Sequence, residues 1–204
     1  FAQQMTVEKE YSLEDITEMK NKAVLITTNV GTFMIELFPE DAPNTVNNFL
    51  KLVESGYYDG IVFHRIIPNF MIQAGDPNTI GPNSDRDTWG QGGPGYTIKE
   101  EFNTIQHDRG IVSMARSQHV DSAGSQFFIV HKDNNQLDGK YTVFGRLVPG
   151  THSLAALDQI ANLPTNKSNQ PLDISIATIT KTSIIDDFTT TGFSGPDRNS
   201  SLLK

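Results

Sequence analysis

The sequence predicts an all-β domain with two flanking helices, arranged as a barrel or a sandwich. Short runs of strand character recur along the body of the chain, with Gly-, Pro- and Asn-rich turns between them. Only two segments of that body change to a helical period. Two helices are too few to alternate with the strands, which argues against a doubly wound parallel sheet. A closed barrel would also leave no sheet edge open to another chain.

Residues 1–21 carry Glu8, Glu10, Glu14, Asp15 and Glu18 among few strong hydrophobes, and are expected to form an acidic, partly helical extension. The main domain is expected over residues 22–181. "KAVLITT" and "GTFMIELFP" form a hairpin around Asn29, Val30 and Gly31, with Phe33, Ile35 and Leu37 alternating against Met34 and Glu36. In "DAPNTVNNFLKLVESGYY" the period changes. Val46, Phe49, Leu50 and Val53 make a helical stripe, Pro43 suits the first turn and Gly56 the exit.

The stretch "GIVFHRIIPNFMIQAGDP" reads as two strands meeting at Pro68 and Asn69. A long irregular region runs from Asp76 to Gly95; such a loop needs a purpose or its own packing, and Trp89 is expected to plug it. "YTIKEEF", "GIVSMA", "SQFFIVH" and "YTVFGRLV" are further strands. "HSLAALDQIANLP" is the second helix, with Leu154, Leu157 and Ile160 or Ala161 inward, stopping before Pro164. "DISIATITK" closes the domain with strict alternation, and residues 182–204 read as a polar tail, mobile or weakly docked.

The 204 residues suit one domain with tails, and the formal net charge of -8 argues against a nucleic-acid partner. With no cysteine, disulfides, thiol catalysis and thiolate metal sites are excluded. The chain starts at Phe1 rather than methionine, so a preceding segment is expected, with export or membrane tethering among its consequences; localisation stays open. "GQGGPG" at 90–95 lacks the Lys-Ser/Thr of a phosphate loop. His64, His107, His119, His131 and His152 have no ligand spacing, so no metal is expected. Glu100 and Glu101 would face opposite sides of a strand, and Ser122 and Ser125 lack a nucleophile elbow.

Over residues 22 to about 180 the chain resembles the cyclophilin-type peptidyl-prolyl cis-trans isomerases. The motifs are "FHRIIPNFMIQAGDP", "GGPGYTIKEEF", "GIVSMA", "SAGSQFFIV" and "LDGKYTVFGRLVPG", in that order. The resemblance implies a closed eight-stranded antiparallel barrel capped by two α-helices, and an enzyme without a cofactor that isomerises X-Pro bonds and assists protein folding. It places the family's catalytic residues on Arg65, Gln73 and Phe70. Substrate binding falls on His64, Met71, Ala115, Arg116, Gln126, Phe128, Leu137 and Tyr141.

Arg116 stands where many members have asparagine, Tyr141 where histidine is frequent, and Gln136 where strong cyclosporin binders have tryptophan. Cyclosporin is therefore expected to bind weakly at most. The expected partners are proline-containing peptides or unfolded proteins, met by a monomer. The alternative is a non-catalytic module that binds proline segments or acts as a chaperone-like interaction domain. Phe70, Phe128 and Leu137 would equally suit a core, and "VFHRII" does not show which strand face carries Arg65.

Overall fold

The structure, a computed structural model, describes Gln4–Met5 and residues 9–188; the expected tail from 189 onward lies outside them. Two-residue strand β1 (Gln4–Met5) runs parallel to β6 (Tyr96–Thr97). Helix α1 (Leu13–Lys20) lies in the acidic extension and makes a third α-helix where two were expected. Its start is written locally. The Ser12 hydroxyl accepts from the Asp15 N–H at 3.1 Å, and the Asp15 carboxylate accepts from the Ser12 N–H at 3.0 Å. This reciprocal capping box satisfies two donors. The Tyr11 hydroxyl donates to Asn44 Oδ1 at 3.0 Å and Met19 is buried, so the extension packs onto the domain.

The remaining strands are β2 (Ala23–Thr28), β3 (Gly31–Leu37), β4 (Arg65–Ile67), β5 (Met71–Ala74), β7 (Ile111–Met114), β8 (Phe127–Val130), β9 (Val143–Leu147) and β10 (Ile179–Ile185). With β1 and β6 apart, they form one antiparallel eight-stranded sheet in the order β10-β2-β3-β9-β7-β8-β5-β4, curled into a half-barrel. The ladder is open between β4 and β10. The segment ahead of β4 still meets β10: Val62 and Thr178 form a bridge, the Phe63 N–H donates to Ala177 O at 2.9 Å and the Ile179 N–H to Ile61 O at 2.8 Å.

Helix α2 (Pro43–Glu54) buries the expected stripe of Val46, Phe49, Leu50 and Val53, and α3 (Ser153–Ala161) buries Leu157, Ile160 and Ala161. Residue Ala42, at the start of α2, offers no capping side chain. Glu101 supplies the cap instead, accepting from the N–H groups of Asn44 at 3.2 Å and Thr45 at 2.6 Å. A carboxylate there also suits the positive end of the helix dipole.

Two expected strands come out shorter or displaced. "YTIKEEF" contributes only β6 and one bridge, Ile98 to Ala123, because the next residues turn away to place carboxylates: the Phe102 N–H donates to Glu100 at 2.6 Å. "DISIATITK" joins the sheet only at Ile179, since Ile174 to Ile176 form a turn. Strand β10 then runs to Ile185 by pairing with β2, so its last four residues lie in the sheet although the tail was expected from 182.

Alternation divides the core in two. Ile66, Ile72, Ile129 and Val112 lie on one cross-strand rung and face the main core with Phe33, Phe49 and Phe144. The next rung faces outward, over a second, smaller cluster that includes Met71, Phe128, Val130 and Val143.

Candidate active site

The outward rung builds the site. Arg65 pairs with Gln73 across β4 and β5, Gln73 with Phe128 across β5 and β8, and Phe128 with Ser113 across β8 and β7. Side chains directly opposite in a sheet share a face. Arg65, Gln73 and Phe128 therefore stand in a row on the outer surface, and the face that "VFHRII" left open is the exposed one. Among the described residues the Arg65 guanidinium has no hydrogen-bond or ion-pair partner, so its donors are available.

Around this row lies a cavity of about 120 Å³ lined by Arg65, Phe70, Met71, Gln73, Ala115, Arg116, Phe128, Leu137 and Tyr141. Nine of the eleven residues marked by the resemblance thus converge on one small depression. Met71 and Phe128 are buried and make its floor; Phe70, Leu137 and Tyr141 are half-buried and make its walls. The Tyr141 ring meets Phe128 edge-on with centroids 5.6 Å apart. Arg116 lies over the Tyr141 ring at 4.9 Å, its Nε donating to Lys140 O at 2.9 Å and its Nη1 to Ser117 O at 3.0 Å.

A second cavity of about 240 Å³ adjoins the first and shares Gln73, Ala115 and Arg116 with it. Gln126 lines this one. Its carbonyl accepts from Gln73 Nε2 at 3.0 Å, while its amide donates to Gly90 O at 3.0 Å and Gly92 O at 2.8 Å. The long loop is therefore tied to the site by Gln126. It is also held from beneath by the buried Asp76, whose carboxylate accepts from the Asn78 and Gly90 N–H groups. Trp89 is the expected plug, buried with Arg86 stacked on it.

His64 departs from the pattern. It lines neither cavity and is 5% exposed, with its Nδ1 buried and unpartnered. Burial pushes its pKa down to about 4.

The model of the "Cyclophilin type peptidyl-prolyl cis-trans isomerase/CLD" family matches residues 23–181. The chain belongs to this family. It is 40% identical over 167 residues to "Peptidyl-prolyl cis-trans isomerase-like 2" of Gibberella zeae, a match covering 81% of this chain and 27% of that protein. It is 44% identical over 162 residues to "Peptidyl-prolyl cis-trans isomerase-like 3" of Gallus gallus, covering 78% of this chain and 94% of that one. The chain thus spans about a quarter of the first relatives and nearly all of the second. A cyclophilin-type isomerase of Cryptosporidium parvum superposes with a TM-score of 0.70 at 35% identity, covering 81% of this chain and 98% of its own. That protein was also solved in the presence of the dipeptide Ala-Pro.

Beneath this cyclophilin cavity lies a residue that the motifs did not single out. His107 is fully buried and stacks on Phe128 with centroids 5.9 Å apart and 15° between the planes. Its Nδ1 is 2.9 Å from Asp138 Oδ1 and its Nε2 is 3.0 Å from Ser113 Oγ. Burial lowers its pKa, so the neutral ring donates to the carboxylate and accepts from the hydroxyl. No sequence signal links these residues, because Asp138 is 31 positions away.

Proposed function

We propose that the chain catalyses cis-trans isomerisation of X-Pro bonds in peptides or unfolded proteins. The observation that carries this reading is the Arg65 guanidinium, unpartnered among the described residues, beside a cavity where Phe70, Met71, Phe128 and Leu137 offer apolar contacts to a proline ring. An X-Pro bond is planar because nitrogen donates its lone pair into the carbonyl. Rotation passes through a twisted state in which that pair returns to nitrogen. A guanidinium aimed at the prolyl nitrogen therefore binds the twisted state more strongly than either planar one, which is the condition for catalysis.

In this reading Arg65 supplies the donor, Phe70 closes on the proline ring and Gln73 holds the substrate backbone. Met71, Phe128, Leu137 and Tyr141 form the cup, while Ala115, Arg116 and Gln126 meet the chain leading to proline. No proton is transferred and no cofactor is needed. The uncatalysed barrier is about 20 kcal/mol, and lowering it by roughly 7 kcal/mol gives about 10⁵-fold acceleration, within reach of fixed electrostatics and orientation.

The contacts of residues 60–63 with 177–179 further support a barrel that closes behind β4, giving Arg65 a rigid base. Gln136, exposed and outside the cavity lining, supports weak cyclosporin binding at most.

The test is cis-trans exchange of a short Ala-Pro peptide by NMR, for the wild type and Arg65→Ala. Fast exchange that falls by about 10²–10³-fold in a folded mutant is expected, the range for losing one aimed donor. Slow exchange in the wild type with the peptide bound would replace this reading with that of a binding module.

A further inference from the structure

His131 lines neither cavity, yet it holds the turn that carries Phe70 from two sides. It directly follows β8, and its ring is about nine-tenths buried, with 10% of the side chain exposed. The Asn69 N–H donates to His131 Nδ1 at 2.8 Å. The N–H of His131 itself donates to Phe70 O at 2.9 Å. The turn between β4 and β5 needs such support, because Asn69 is held at φ 62°, a left-handed conformation that non-glycine residues adopt at a cost.

These contacts decide where the imidazole proton sits. A backbone N–H only donates, so Nδ1 is the acceptor and the proton of the neutral ring is on Nε2. From there it is donated to Asp158 Oδ1 on α3, 2.9 Å away. Arg109 grips the same carboxylate with Nη1 at 2.8 Å and Nη2 at 2.9 Å, and its Nη1 also donates to His131 O at 3.1 Å.

We propose that His131 is a positioning residue: as a neutral imidazole it holds the Asn69–Phe70 turn against the proline cavity, and on protonation it releases that turn. The proposal rests on the isomerase reading above, since Phe70 is its outlet. A protonated ring carries N–H groups on both nitrogens. The new one on Nδ1 meets the Asn69 N–H donor to donor, and the hydrogen bond is lost. Two charged groups face the ring. These are Asp158, from α3, and Arg109, from the turn before β7. Asp133 restrains that turn, accepting the Arg109 N–H at 2.7 Å, while Lys132 points into solvent. Hydrogen bonds from Arg109 and then His131 hold the Asp158 carboxyl below its usual pKa, which favours its ionised, accepting form.

The effect belongs to substrate binding, because Phe70 touches the proline ring in planar and twisted states alike. Losing a wall contact common to both raises KM more than it lowers kcat. The experiment follows the Asn69 amide and the His131 ring by NMR across a pH titration of the full chain. In parallel, kcat and KM for Ala-Pro peptide exchange are measured for the wild type, His131→Asn and His131→Phe. Asparagine keeps an uncharged acceptor and cannot titrate; phenylalanine keeps the ring and removes the acceptor.

The Asn69 amide is expected to shift with the same midpoint as the His131 ring, with KM rising as the ring is protonated. His131→Phe should show a KM raised by about 3- to 10-fold at every pH, the worth of one hydrogen bond. His131→Asn should keep the wild-type KM and lose the pH dependence. An Asn69 amide that ignores the titration overturns the proposal, as does a pH profile shared by the wild type and His131→Asn. Should the wild type show no exchange at any pH, the isomerase reading falls on its own, and co-titration of Asn69 with His131 still decides whether the clamp exists.

Discussion

At the scale of single residues, several groups of the site are already fixed before a substrate arrives. Arg116 is the clearest case. Three carbonyls, those of Lys140, Ser117 and Gln118, hold its guanidinium between the two cavities. The entropy of ordering that long side chain is met by folding and need not be met again on binding. A fixed cation there favours an acidic residue ahead of the X-Pro unit. A Glu-containing peptide should show a lower KM than its Lys counterpart, and Arg116→Ala should narrow the gap by about 2- to 5-fold, as expected for an exposed charge pair. Measuring both peptides at low and high salt checks this, since the preference should shrink as salt screens it. Much of this constellation was legible because the motifs are contiguous, but the face of Arg65 was not. Phe63, His64 and Ile66 flank it and are all buried, so "VFHRII" shows no clean alternation. The register with Gln73 and Phe128 decides the face, and its second half pairs β5 with β8, far away in sequence.

At the scale of elements, the apolar stripes and the ends marked by Pro43, Gly56 and Pro164 were readable, and the capping partner of α2 was not. The stripe of α2 follows from its own period, whereas its N-terminal cap comes from Glu101, 57 residues beyond Asn44. The same fact explains why "YTIKEEF" looked like a strand: its alternation ends in carboxylates that serve backbone donors rather than a sheet face. Helix α1 was foreseen only as partial helicity, since its capping box uses aspartate at the third position in place of the more frequent glutamate. Glu101→Gln retains the shape and removes the charge. It should destabilise the protein by about 1–2 kcal/mol, the range for losing charge-assisted cap hydrogen bonds, read as a lower urea midpoint with an unchanged slope. KM for an Ala-Pro peptide should stay near the wild-type value, because α2 packs through Phe49 onto Phe127 and Phe144 in the inner core, on the opposite side of the sheet from the cavity.

At the scale of the whole molecule, buried histidines tie the stability of the sheet to pH. His64 sits among the inner residues of the segment leading into β4, and burial holds its pKa at about 4 against an ordinary value of 6.5. Between those two values the unfolded chain takes up a proton that the native chain refuses. Stability therefore rises with pH across this window and is lost as pH falls from about 6.5 to about 4. A shift of that size corresponds to about 3 kcal/mol. His107, whose pKa burial also lowers, acts with the same sign. Asp15 and Asp158, both held below the ordinary carboxylate value, add losses only at lower pH, as protonation removes their native hydrogen bonds. Urea midpoints measured at half-unit steps between pH 7 and pH 4 should accordingly decline for the wild type. His64→Gln, which cannot take up a proton, should decline more gently, whatever fixed offset the substitution brings. Parallel curves for the two proteins would mean that His64 is solvated or charged in the folded state, and that the acid sensitivity of the fold arises elsewhere, with His107 the next residue to replace.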